Sequence, residues 1–193
     1  MLDPAMTGQY DYKREELDHY PTPREVTIAL MGYLHLQRTD EIWEPACGTG
    51  SMSEVLETYA PTISSDIKDY GFGCSGIDFF DMSGPPVNTI NHIVTNPPYG
   101  DIAEKFVRHA IKLMQPHDGT VAMLMRNEWD CAKSRRDLFN EMPFHSKLVL
   151  TWRPRWIAGS TGAPRHNYAW YIWKWFCGYK PEPRIFHVAK PSC

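Results

Sequence analysis

The sequence contains no CxxC pair and no cysteine spaced with histidine in a metal-ligand pattern; its five cysteines stand apart at 47, 74, 131, 177 and 193. That excludes a zinc module and a disulfide scaffold, and the expectation is free thiols in a reducing cytoplasm, with no metal. No hydrophobic run approaches the roughly 20 residues of a membrane span. The first 20 residues are polar and acidic, unlike a secretory signal or an Arg-rich transit peptide, and read as a loose arm ahead of one domain over 21–193. Internal repeats and low-complexity tracts are also missing, which removes solenoids and linkers. What remains is a chain of 193 residues, 42% hydrophobic and 22% charged, able to bury a core.

The net charge of −3 conceals a division. Residues 1–125 hold 8 basic against 18 acidic side chains, and residues 126–193 hold 12 against 5, with six of the seven tryptophans. A basic, Trp-rich third suggests a face that meets a polyanion. A solvated surface beside a buried aromatic strand gives the same composition, so charge alone leaves both open.

Strand and helix patterns alternate. Thr22-Pro23 opens an amphipathic helix, with Thr at the cap and Pro at the first helical position. Strands are expected at 41–44, 62–65, 76–78, 90–95 and 120–125, with helices following Gly50 to residue 59, over 102–114 and over 131–142. Two late strands, 147–152 and 168–176, flank a loop rich in Gly, Pro and Arg. This order predicts an α/β fold: a mostly parallel sheet with an antiparallel C-terminal hairpin and helices on both faces.

Two motifs stand where such sheets bind ligands. The first, Glu44-Pro45-Ala46-Cys47-Gly48-Thr49-Gly50, joins a strand to a helix through glycines that let a ligand approach the backbone. Ser53 occupies the position of the third glycine of a dinucleotide fingerprint, and no Gly-Lys-Ser/Thr follows, so neither NAD nor a P-loop nucleotide fits. Glu44 favours a positively charged ligand over a pyrophosphate. The second motif, Asn96-Pro97-Pro98-Tyr99, follows the strand at 90–95. Its prolines hold a rigid extended loop. Asn96 and the Pro97 carbonyl are acceptors for an amine, and Tyr99 is a flat surface for a planar group.

EPACGTG followed by NPPY resembles the class I S-adenosylmethionine (SAM)-dependent methyltransferases. Within them the likeness is to the adenine-N6 DNA methyltransferases, including small enzymes of the bacteriophage type. The resemblance implies a Rossmann-like sheet and SAM as cofactor. It implies that Thr22 and Pro23 hold the methionine end. Glu44, Ala46, Cys47 and Gly48 would line that end, and Gly50 would permit close approach. It assigns Asp66 to the ribose hydroxyls, with Asp69 as a rival. Asp78 and Phe79 go to the cofactor adenine, ahead of Asp81. Asn96, Pro97, Pro98 and Tyr99 form the catalytic loop, with Asn96 also touching the cofactor.

In that chemistry two acceptors draw the hydrogens of an adenine amine and stabilise the positive charge that develops on nitrogen. A duplex base must leave the stack to arrive there. Arg153, Arg155, Arg165 and His166, in the late loop, are the candidates for gripping nucleic acid. Trp170, Trp173 and Trp175 read as core residues of the last strand. There are too few residues for a separate target-recognition domain, so a specificity partner is one expectation. RNA bases and protein glutamine amides remain as alternative acceptors, and a non-catalytic SAM-binding subunit as a second alternative.

Overall fold

The computed structural model describes residues 20–157, 161, 163–175 and 182–192; the expected N-terminal arm, apart from Tyr20, lies outside them. Seven strands form one sheet: β1 (Ile42–Glu44), β2 (Thr62–Ser64), β3 (His92–Thr95), β4 (Thr120–Arg126), β5 (Phe144–Leu150), β6 (Tyr168–Lys174) and β7 (Arg184–Val188). Their order is β2-β1-β3-β4-β6-β5-β7. Six strands run one way, and β6 alone runs against its neighbours β4 and β5. The α-helices among the described residues are α1 (Arg24–Met31), α2 (Ser53–Leu56), α3 (Ile102–Met114) and α4 (Arg136–Asn140).

The central strands are near-continuous apolar runs because both faces are covered: β3 is buried at every position and β4 at all but Arg126. On one face α3 packs through Phe106, Val107, Ala110 and Leu113, joined by Leu138 of α4. On the other, Val26 and Leu30 of α1 and Leu56 of α2 meet Val94, Ala122 and Leu124. Strand β6 joins the two layers. Trp170 donates its Nε1–H to the Val26 carbonyl at 3.0 Å, and Trp173 donates to the Leu138 carbonyl at 2.8 Å. Both rings are fully buried, as expected for core residues of this strand.

Several local expectations need correction. Pro23, not Thr22, is the N-cap residue of α1, and no side chain caps the helix. The segment 76–78 forms no strand; only an isolated Ser65–Cys74 bridge extends the sheet there, in a loop whose Gly71, Gly73 and Gly76 all have positive φ. The helix after Gly50 is the single turn α2, and 131–142 breaks into short 3-10 turns before α4. Strand β7 was not expected. It pairs in parallel with β5 at the sheet edge, and its exposed faces leave little hydrophobic signal. Among the described residues no helix is long and apolar enough to cross a membrane, and no cluster of His, Cys, Asp or Glu is placed to hold a metal.

Truncating Trp170 removes a buried ring and its link to α1. Trp170→Ala is expected to lower unfolding free energy by about 3–5 kcal/mol in urea titration. A loss under 1 kcal/mol would contradict its place at the junction of β6 and α1.

Candidate active site

The parallel strands β1 and β3 lie side by side, and the chain leaves them in opposite directions, toward β2 and toward β4. Their carboxyl ends therefore face a crevice that neither connection fills. Beyond β1 the turn is tied to the end of β2. Ser65 N–H donates to the Glu44 carbonyl at 2.9 Å and Cys47 N–H to the Ser65 carbonyl at 3.0 Å. Gly48 N–H donates to Asp66 Oδ2 at 2.9 Å. Gly48 has φ 51°, in the region that favours glycine.

The crevice is a cavity of about 530 Å³, within the range of small-ligand sites. Thr22, Glu44, Ala46, Cys47, Gly48, Asp66, Asp78 and Phe79 line one part of it, and Asn96, Pro97, Pro98 and Tyr99 another. Two expected residues do not line it. Pro23 sits at the start of α1. Gly50 (φ 86°) faces the Phe72 ring, which a Cβ there would approach to 2.5 Å, so its glycine makes room for Phe72 and not for a ligand. The sequence reading missed Tyr20, Ile67, Tyr70, Phe80, Ile102 and Phe106 on the walls. A signal existed for two of them: Ile67 directly follows Asp66, and Phe80 lies two residues after Asp78. These apolar side chains are 59% and 37% exposed at the cavity.

Three carboxyl groups line the cavity and, among the described residues, no Lys, Arg or His does. Glu44 is buried at the end of β1, and its Oε2 accepts from Ser53 Oγ, which also contacts Ser64 Oγ at 2.6 Å. Burial pushes the Glu44 carboxyl well above the usual glutamate range. Burial, reinforced by Glu44, pushes the Cys47 thiol up to about 12, so Cys47 is a neutral wall and not a nucleophile. Cys74 and Cys131 are exposed free thiols. Asp66 accepts from Gly48 N–H and, at 3.0 Å, from Lys68 N–H. A carboxylate offers about four acceptor sites, so capacity remains on both oxygens. Asp78 caps a short turn by accepting from Phe80 N–H at 2.9 Å. Phe79 stacks on Phe106 with centroids 4.1 Å apart, which makes it a core ring reaching the cavity floor. Asp69 accepts from Gly71 N–H in the loop, and neither it nor Asp81 lines the cavity.

Each polar atom of the Asn96 amide has one partner. Its Nδ2 donates to Thr22 Oγ1 at 3.2 Å, and its Oδ1 accepts from the Tyr99 hydroxyl at 2.9 Å. Tyr99 is therefore more than a flat surface: its hydroxyl meets the acceptor atom, and its ring packs against the α1-side core. Burial, with Tyr168 nearby, holds the Tyr99 hydroxyl well above its ordinary value, so it stays a neutral donor.

Arg153, Arg155, Arg165 and His166 are exposed in the 151–167 segment, on the same edge of the sheet but outside the cavity wall. Arg153 Nε donates to Asn167 Oδ1 at 3.0 Å. Burial, then Arg126, Arg165 and Arg153, lower the His166 pKa, so these cations share one neighbourhood.

No protein-family profile and no curated protein sequence matches this chain. Solved structures do. The chain superposes on the methyltransferase subunit of a type I restriction-modification system from Streptococcus thermophilus with a TM-score of 0.64 at 12% identity, covering 87% of this chain and 46% of that one. The fold is that of the class I methyltransferases. A Listeria monocytogenes protein assigned to the class I S-adenosylmethionine-dependent methyltransferases gives 0.60 at 13% identity, over 97% and 69% of the two chains. The 23S rRNA methyltransferase ErmE gives 0.61 at 17%, over 85% and 72%. The chain spans about half the length of the type I subunits it matches.

A raised carboxyl pKa has a stability consequence of defined sign. Glu44 contributes fully below its ordinary value of 4.5 and loses that contribution as pH rises through the raised value. Thermal melts at increasing pH should show the wild-type Tm falling relative to Glu44→Gln. Parallel Tm curves for the two proteins would contradict the raised carboxyl pKa.

Proposed function

We propose that this chain transfers the methyl group of SAM to the exocyclic N6 amine of adenine in DNA. The observation that carries the reading is that the Glu44–Gly48 turn and the Asn96–Tyr99 loop open into one cavity lined by three carboxyls and no cation among the described residues. SAM bears a sulfonium and an ammonium against one carboxylate, so it is a net cation suited to such walls, whereas a pyrophosphate is not. Thr22, Glu44, Ala46, Cys47 and Gly48 would hold its amino-acid end. Asp66 would take the ribose hydroxyls, and Asp78, with Phe79 and Phe80, the adenine. When bound, SAM supplies the electrophilic methyl group.

The protein's own part is to orient the acceptor and to stabilise charge. Asn96 Oδ1 accepts a hydrogen of the incoming amine in place of the Tyr99 hydroxyl. The Pro97 carbonyl is the second acceptor. Both sit at the end of a buried strand, so they are positioned before the amine arrives, and they face the positive charge that develops on nitrogen. Tyr99 and Pro98 complete the wall for a planar base.

The likeness to type I restriction-modification subunits supports DNA as substrate, as do the cations at the sheet edge. The likeness to a 23S rRNA methyltransferase favours an RNA base as the acceptor in a second reading. A protein glutamine amide would have no use for the cationic edge, and a non-catalytic subunit none for Asn96. We place the activity in the cytoplasm, where thiols such as Cys74 and Cys131 stay reduced.

Asn96→Ala should lower turnover about 100- to 1,000-fold while calorimetric SAM affinity stays near wild type. Turnover at the wild-type rate would remove Asn96 from the reaction. Loss of SAM binding together with turnover would make it a cofactor residue alone.

A further inference from the structure

Arg126 is the last residue of β4 and the one exposed position in that strand. Parallel register sets Met123 opposite Thr95, so Arg126, three residues on, lies past the end of β3 on the side of the Asn96–Tyr99 loop, and its charge acts on the Tyr99 hydroxyl. Across the antiparallel ladder it is paired with Tyr168. Directly opposed residues share a face of the sheet, and Tyr168 packs in the α1-side core against which Tyr99 rests. Arg126 thus stands on the face of Tyr99, at the edge where the cavity opens. Arg126 forms no ion pair among the described residues. It shares its surroundings with Arg153, Arg165, His166 and the exposed Glu128.

A guanidinium left without a carboxylate, beside the loop that receives the acceptor, has the chemistry of an anion site. Its planar fork suits a phosphate, which it binds through two parallel N–H donors. The cavity itself is acidic and repels a phosphate, so the two sites divide the substrate: base inward, backbone outward. We propose that Arg126 binds the backbone phosphate beside the nucleotide whose base enters the Asn96 pocket. This rests on the methyl-transfer reading above and deepens it, because it requires an acceptor that carries phosphodiesters. Arg153 and Arg165 continue the track along the same edge.

The test compares Arg126→Gln, Arg126→Lys and a control, Arg184→Gln, with wild type on a duplex DNA oligonucleotide, its single strand and the matching RNA. Arg184 begins β7, at the opposite edge of the sheet. Calorimetry with SAM first shows that each variant is folded and binds cofactor as wild type does. The readout is the slope of log affinity against log salt on whichever nucleic acid the wild type methylates. Arg126→Gln should reduce the magnitude of that slope by about 0.9 on duplex, or about 0.7 on a single strand. Arg126→Lys should retain most of the slope but lose affinity, since a point charge replaces the fork. Arg184→Gln should leave it unchanged. An unaltered slope in Arg126→Gln, or an equal change in Arg184→Gln, overturns the phosphate site while leaving the methyl-transfer reading intact. Wild type that methylates only a protein amide, and no nucleic acid, overturns the proposal together with the nucleic-acid reading beneath it.

Discussion

The site depends on one constraint of the sheet: two parallel neighbours, β1 and β3, whose chains depart to opposite sides. Neither connection fills the crevice beyond their ends, which the cavity occupies. The sequence meets this constraint with two stiff turns. The first is closed by Asp66, which accepts from Gly48 N–H and so ties the β1 turn to the end of β2. The second is stiffened by Pro97 and Pro98 and held by Asn96, which reaches 74 residues back to Thr22. Thr22 precedes α1, α1 is clamped by Trp170, and Trp170 belongs to β6. The site is thus braced from the far end of the chain.

Electrostatics divides the same edge in two. Inside, Glu44, Asp66 and Asp78 face a space lined by no cation among the described residues. Outside, Arg126, Arg153 and Arg165 surround His166. At this edge the cavity's carboxyls come from residues before 125 and the cations from residues after it, in line with the charge division of the sequence. An acidic pocket with a basic rim suits a reaction between a cationic cofactor and a polyanionic acceptor, and each part repels the other's ligand.

Much of this was legible in the sequence, because the informative residues are local to strand ends. The apolar runs at 90–95 and 120–125 mark β3 and β4, and both motifs directly follow strands. Glu44 and Asp78 were identified as wall residues from resemblance, and both line the cavity. What escaped was set by contacts far apart in the chain. Tyr99 looked like a bare stacking surface, because nothing local shows that its hydroxyl returns to Asn96. Gly50 looked like a ligand-facing glycine, because its true neighbour, Phe72, sits in a loop with no regular pattern. Arg126 ends an apolar strand, and only the β4–β6 register brings it beside Tyr168. Strand β7 is exposed at most positions, so burial left little alternation to read.

In the proposed reaction one cavity brings SAM to an adenine amine. The most direct measurement incubates the intact protein with methyl-tritiated SAM and, separately, DNA, RNA and cell protein, then digests each acceptor and separates its nucleosides or amino acids. Label in N6-methyladenosine or its deoxy form, with deoxyadenosine the principal acceptor, is the predicted result. Label in no acceptor, or only in methylated glutamine, would contradict it.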